Sequence, residues 1–139
     1  MGVARVAIIH CTILGQPVPK ARPRFSSRSG TAYTPKKTKD YEKKIVKVIQ
    51  PVVKDKISGA VHVDLNVIFN RPKYMQTKKY QDGLILHTKR PDLDNVIKAV
   101  LDALNSVLDD DAQVAKITAT KYYAEKQGYP RTEITISKI

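Results

Sequence analysis

Arg90-Pro91-Asp92-Leu93-Asp94-Asn95-Val96-Ile97-Lys98-Ala99-Val100-Leu101-Asp102-Ala103-Leu104 is the stretch on which the reading of this chain turns. Val96, Ile97, Val100, Leu101 and Leu104, continued by Val107 and Leu108, recur at helical spacing and predict an amphipathic helix beginning near Asp94. Asp94, Lys98 and Asp102 follow one another at four-residue steps, so they share the face opposite the apolar stripe. Asp92 follows Pro91 and leaves an extended segment, which lets the Asp92 and Asp94 side chains converge on the helix N-terminus. The helix stops at Asp109-Asp110-Asp111. At 1.5 Å per residue it is roughly 20 Å long. The acids at its two ends therefore meet only if the chain folds back after the helix, or if a second subunit supplies one cluster.

These acids sit in a chain with 25 Lys+Arg against 13 Asp+Glu, a formal net charge of +12. Such a balance fits a polyphosphate partner. A phosphate-binding face excludes acids unless they hold a cation, so the conflict points to a metal site that acts on nucleic acid. The chemistry is metal-assisted phosphodiester hydrolysis: Mg²⁺ on two or three carboxylates neutralises charge, orients a water and lowers its pKa. Lys98 is suited to stabilise developing oxyanion charge. With hard oxygen ligands, one cysteine (Cys11) and three scattered histidines (His10, His62, His87), the set selects Mg²⁺ or Mn²⁺ over zinc.

Plainer readings stay open beside this one. Asp-x-Asp-Asn before a helix is also an ordinary N-cap. A triple aspartate is also a solvated turn, although acids at a helix C-terminus oppose the dipole and call for compensation. Lys98 is also a surface partner of Asp94, and Tyr74 and Tyr80 are also loop packing rather than stacking platforms.

The rest of the chain reads as one α+β domain over residues 1–139, with a mixed sheet of about four strands and two main helices in the order β-α-β-α-β-β. Residues 3–14 predict a strand buried on both faces and so internal to the sheet. Residues 15–33, with Pro17, Pro19 and Pro23, predict a long functional loop. Thr34-Pro35 is a helix start, with proline at the first helical position, and Pro51 is its end. Val61, Val63, Leu65, Val67 and Phe69 alternate with His62, Asp64, Asn66 and Ile68 as a half-buried strand. Residues 71–89 predict an exposed, mobile loop. Residues 113–123 and 131–137 predict two strands joined as an antiparallel hairpin. A single cysteine allows no intrachain disulfide, and the N-terminal apolar run is too short for a signal peptide or a membrane span. Both fit a protein of the cytoplasm with no membrane partner.

Four short blocks, Asp92-Leu93-Asp94-Asn95, Lys98-Ala99, Leu101-Asp102-Ala103-Leu104 and Asp110-Asp111-Ala112-Gln113-Val114, resemble the RusA family of Holliday junction resolvases of bacteria and their phages. The opening Gly15-Gln16-Pro17-Val18-Pro19-Lys20-Ala21-Arg22-Pro23-Arg24 is similar to that of many members. The resemblance implies a homodimeric, Mg²⁺-dependent endonuclease that nicks two opposed strands of a four-way DNA junction. It implies Asp92, Asp94 and Asp111 as catalytic, metal-binding aspartates and Lys98 as the catalytic lysine. Asp110 is a lesser candidate beside Asp111, and Pro91 stands where some members carry another arginine. Phosphate contacts are expected from Lys20, Arg22, Arg24, Lys78, Lys79, Lys89 and Arg90, which position nucleic acid without reading sequence. Two other functions compete: a basic DNA-binding module without catalysis, and a nuclease for flapped DNA or RNA.

Overall fold

The computed structural model describes residues 6–22, 24–33 and 35–139, with side chains left aside at residues 6–8 and 24. The longest apolar alternation in the chain becomes its central strand. β4 (Val61–Phe69) presents Val61, Val63, Leu65 and Val67 on one face, all fully buried. Its other face carries His62, Asp64, Asn66 and Ile68, of which His62 and Ile68 are also buried. A strand shielded on both sides belongs in the middle of a sheet. The observed five-strand order is β1-β7-β4-β6-β5, where β1 is Val6–Leu14, β5 Ile85–Leu86, β6 Val114–Tyr123 and β7 Arg131–Lys138. β4 runs parallel to β6 and antiparallel to β7, so the sheet is mixed and the fold is α+β as expected.

Two expectations about this sheet fail. β6 and β7 are not a hairpin: β4 lies between them and hydrogen-bonds to both. The apolar demand of β4 wins over sequence adjacency, since β6 has mostly exposed or half-exposed residues. β1 is an edge strand, not an internal one. Ile9 and Ile13 point into the core, whereas His10, Thr12 and Leu14 are exposed. The four expected strands are all present, joined by the short β5.

Two helices cover the face of the sheet that carries Val63 and Leu65. α1 (Lys36–Ile49) buries Thr38, Tyr41, Ile45 and Ile49, and α2 (Leu93–Leu104) buries Val96, Ala99, Val100, Ala103 and Leu104. They contribute to one hydrophobic cluster with β1, β4 and β7. α1 begins one residue later than expected, with Pro35 at the N-cap position; Thr34 lies outside the described residues. It ends before Pro51, which sits in a 3-10 turn over Gln50–Val52, because proline cannot donate to the preceding turn. The expected long loop between β1 and α1 contains a small hairpin, β2 (Arg24–Phe25) with β3 (Ala32–Tyr33), closed at Gly30 with φ 67°.

The loop of residues 71–89 is exposed but not slack. Arg71 is 3% exposed, and its guanidinium donates to four backbone carbonyls: Ala124 (2.7 Å), Met75 (3.0 Å), Gln81 (3.0 Å) and Gly83 (2.5 Å). A planar five-donor fork suits such a set of acceptors. The expectation of a mobile loop missed this residue.

Replacing Arg71 by Met keeps the apolar stem and removes the fork. Charge-assisted hydrogen bonds contribute about 1.5–3 kcal/mol each, and the orphaned carbonyls add a desolvation penalty. Arg71→Met is expected to lower stability by about 3 kcal/mol or more in urea denaturation, and to open residues 73–83 to limited proteolysis. An unchanged urea midpoint would show that the loop is held by something else.

Candidate metal and nucleic-acid site

The site begins where the chain turns into α2. Asp92 occupies the N-cap position in an extended conformation, φ −68° and ψ 137°, yet its side chain makes no capping hydrogen bond. An N-cap aspartate normally spends its carboxylate on the first-turn amides. Here that carboxylate is left over, and its nearest cation is the Arg90 guanidinium at 4.0 Å. Asp94 follows in the first turn, exposed and without a hydrogen bond or ion pair among the described residues. Lys98 lies one turn further on the same face, also exposed. The donors here are hard carboxylate oxygens that accept no hydrogen bond from the described residues, a set that fits Mg²⁺ or Mn²⁺.

The backbone before Asp92 is held by a residue from the sheet. Lys121, near the end of β6, donates from Nζ to the carbonyls of Pro91 (2.6 Å) and Lys89. The Lys121 carbonyl in turn accepts from the His87 amide at 3.0 Å. His87 stacks on Tyr123 with 4.0 Å between ring centroids, and its Nδ1 accepts from the Lys89 amide at 3.1 Å. Burial, then the positive charges of Lys121 and Lys89, lower the His87 pKa, which keeps that nitrogen free to accept.

A second segment lies across α2. The Lys20 amide donates to the Asn95 carbonyl at 2.8 Å, while Thr38 of α1 donates to the Pro19 carbonyl and accepts from the Ala21 amide. Lys20 Nζ pairs with Glu42 at 2.8 Å and with Asp102 at 2.9 Å, which raises its pKa chiefly through the Glu42 hydrogen bond. Lys20 is thus a clamp between α1 and α2 rather than a free cation. Beyond it, a cleft of about 510 Å³ is lined by Lys20, Ala21, Arg22, Asn95 and Lys98.

α2 ends at Leu104, short of the expected stop at the triple aspartate, and beyond the turn that follows it the aspartates divide their work. Asp110 caps the 3-10 turn Asp111–Gln113: its carboxylate accepts from the Ala112 amide at 2.9 Å, and the Gln113 side chain accepts from the Asp110 amide at 2.7 Å. Gln113 also donates to the Ile57 and Gly59 carbonyls, fastening the turn to the chain before β4. The Ala112 amide, followed by the Asp111 hydrogen bond, lowers the Asp110 pKa. The Asp111 pKa is raised, first by its hydrogen bond with Asp110 and then by repulsion from Asp110, with a smaller contribution from Asp102. Of this pair, Asp111 is the acid whose charged form the surroundings disfavour.

Within one chain these two acid sets stay apart. No group of three or more acidic, histidine or cysteine side chains comes together as a metal cage among the described residues. The chain does fold back, as β6, which starts beside Asp111 and returns to the start of α2. What it delivers there is Lys121, not a carboxylate. Of the expected phosphate contacts, Arg22, Lys78, Lys79, Lys89 and Arg90 are exposed, Lys20 is engaged as described, and the Arg24 side chain lies outside the described residues. Lys89 stands 5.9 Å over the Tyr74 ring, and Tyr74 packs edge-on against Tyr80, as loop packing requires. Lys121 and Gln113 were missed by the sequence reading. Asp110-x-x-Gln113 is a capping-box spacing that could have signalled the second; the first has no local signal beyond a cation among the tyrosines of β6.

Lys121→Met should loosen the start of α2 while sparing the rest of the sheet. Loss of charge-assisted bonds to two carbonyls costs about 1–3 kcal/mol. The expected readout is faster amide hydrogen exchange over residues 93–96 with unchanged protection in β7. Unaltered exchange at the start of α2 would rule the strap out.

The family described as Endodeoxyribonuclease RusA matches residues 15–137. The chain is also 34% identical over 140 residues to the uncharacterized protein YqaN of Bacillus subtilis (strain 168), covering 94% of this chain and 96% of that one. The family match takes in the loop that Lys20 clamps, both acid-bearing ends of α2 and the strand that returns to its start, and the chain therefore belongs to the RusA endodeoxyribonuclease family.

Proposed function

We propose that this protein is a Mg²⁺-dependent endonuclease that resolves four-way DNA junctions by paired, symmetric nicks, in recombination and repair. The observation that carries the reading is the Asp92 carboxylate, which stands at a helix N-cap and does not cap, its one ion pair a 4.0 Å contact with Arg90, beside an Asp94 carboxylate with no partner among the described residues. Membership of the RusA family supports the nuclease class. Asp92, Asp94 and Asp111 would hold Mg²⁺, with Mn²⁺ as a substitute. Bound there, the ion supplies charge neutralisation and a water of lowered pKa. Lys98, one turn from Asp94, stabilises charge developing on the phosphate oxygens. Arg22, Lys78, Lys79, Lys89 and Arg90, with Arg24, hold the phosphate backbone.

The Asp92–Asp94 pair lies at the start of α2 and Asp111 in the 3-10 turn beyond its far end, so in this reading each complete site draws its third carboxylate from a second copy of the chain. A homodimer also suits the substrate, because a four-way junction has two-fold symmetry and paired incision needs two sites related in the same way.

The test is cleavage of a four-way junction in Mg²⁺ by wild type and by Asp92→Asn. The variant is expected to lose about a hundredfold or more in rate, since even the outer partners of metal ligands are worth 10–100-fold. Its junction affinity should be retained or tightened, because a repulsive charge has gone. Flapped, duplex and RNA substrates run alongside should be cut far more slowly. A wild-type protein that binds junctions and never cuts them with Mg²⁺ or Mn²⁺ would make this a binding module instead.

A further inference from the structure

The acids and loops of the proposed site leave the outer face of α1 without a task. That face carries Lys36, Lys39, Lys43 and Lys47, all exposed, at steps of three or four residues. Side chains at those steps are neighbours, and like charges so placed destabilise a helix. None of the four has an ion-pair partner among the described residues. Asp40 flanks the row without pairing to it. Glu42, the other acid of α1, faces α2 and is bound to Lys20. The helix has no acid in its first turn and no side-chain cap, so Lys36 and Lys37 add positive charge at the end that is already positive. Three of the row, Lys39, Lys43 and Lys47, form one wall of a groove of about 540 Å³ between α1 and α2. The acids of that groove, Glu42 and Asp102, already share Lys20.

We propose that this face of α1 is a second nucleic-acid surface, which holds the phosphate backbone of a duplex arm through Lys36, Lys39, Lys43 and Lys47. It extends the junction-cutting reading above by saying where DNA beyond the cut lies. From Lys36 to Lys47 the row is about 16 Å long at 1.5 Å per residue. Duplex DNA offers one charge per roughly 1.7 Å of its axis, so each lysine meets a phosphate whatever the sequence. The groove continues along α2 at Asp102, on the row of Asp94, Lys98 and Asp102 that leads to the proposed site. A membrane surface is disfavoured, because a lipid-binding helix sets apolar side chains into the interface, and the row of Lys36, Lys39, Lys43 and Lys47, with Asp40 beside it, carries no apolar side chain. Lysine point charges in place of arginine forks suit backbone contact without base readout.

The experiment measures binding of a plain duplex and of a four-way junction, without metal, across a salt series. Wild type is compared with Lys39→Gln/Lys43→Gln/Lys47→Gln and with a charge-matched control, Lys54→Gln/Lys56→Gln/Lys138→Gln, on exposed sites elsewhere. The α1 variant should lower the slope of log affinity against log salt by about 2–3, since each phosphate contact contributes about 0.9. The control should change it by less than one. Removing like-charge neighbours leaves the melting temperature of the α1 variant at or above wild type. Equal losses in the two variants, or none in the first, would overturn the surface. Displacement of the duplex by polyglutamate at matched charge would overturn it in favour of an acidic protein partner. If wild type binds through α1 but cuts no junction, this surface stands and the nuclease reading falls; if it cuts junctions and the α1 variant binds unchanged, the reverse holds.

Discussion

The burial of β4 on both faces is the constraint from which the other positions follow. A strand buried along one face and over most of the other, where only Asp64 and Asn66 are half-exposed, needs partners along both edges, and it takes β7 on one and β6 on the other. β6 reaches its place parallel to β4, which demands a crossover, and α2 is that crossover. The direction of β6 then brings its far end back to the start of α2, where Lys121 meets the carbonyls before Asp92. The geometry of the acids is thus a product of sheet order.

The basic excess of this chain is divided between two kinds of work. Lys20, Arg71, Lys121 and Arg131 are structural cations, each tied to acids or carbonyls; Arg131, for instance, bridges Glu125 and Glu133 at 2.8 and 3.1 Å. The lysines of α1, together with Arg22, Lys78, Lys79, Lys89 and Arg90, face water without comparable ties. Net charge alone does not distinguish the two groups. The structural cations are partly or wholly buried, where an unpaired charge is costly, so each has found partners that repay its desolvation.

Elements governed by local rules were legible in the sequence. The apolar stripe of α2, the alternation of β4, the stop at Pro51 and the placing of Asp92 and Asp94 at the start of α2 all follow from spacing or from backbone chemistry within a few residues. Features set by distant competition were not. β1 read as internal because its residues are apolar on both sides, yet apolar composition does not say whether a second neighbour exists. The supposed hairpin of β6 and β7 was a fair inference from adjacency, and it lost to β4, a more apolar strand far upstream in the sequence. Lys121 and Arg71 act on carbonyls, which carry no signature of residue type, so nothing in their partners' identities could have announced them.

Arg71 has a consequence for how the surrounding loop is free to vary. Its guanidinium recognises only main-chain oxygens, which every residue possesses. The path of residues 72–84 is therefore specified without reference to most of their side chains. Lys73, Tyr74, Lys78 and Lys79 can be exchanged, recharged or lengthened at little risk to the shape that displays them. One buried side chain thereby turns an exposed loop into an interchangeable cassette, whose outer chemistry is open to selection for different partners on an unchanged frame.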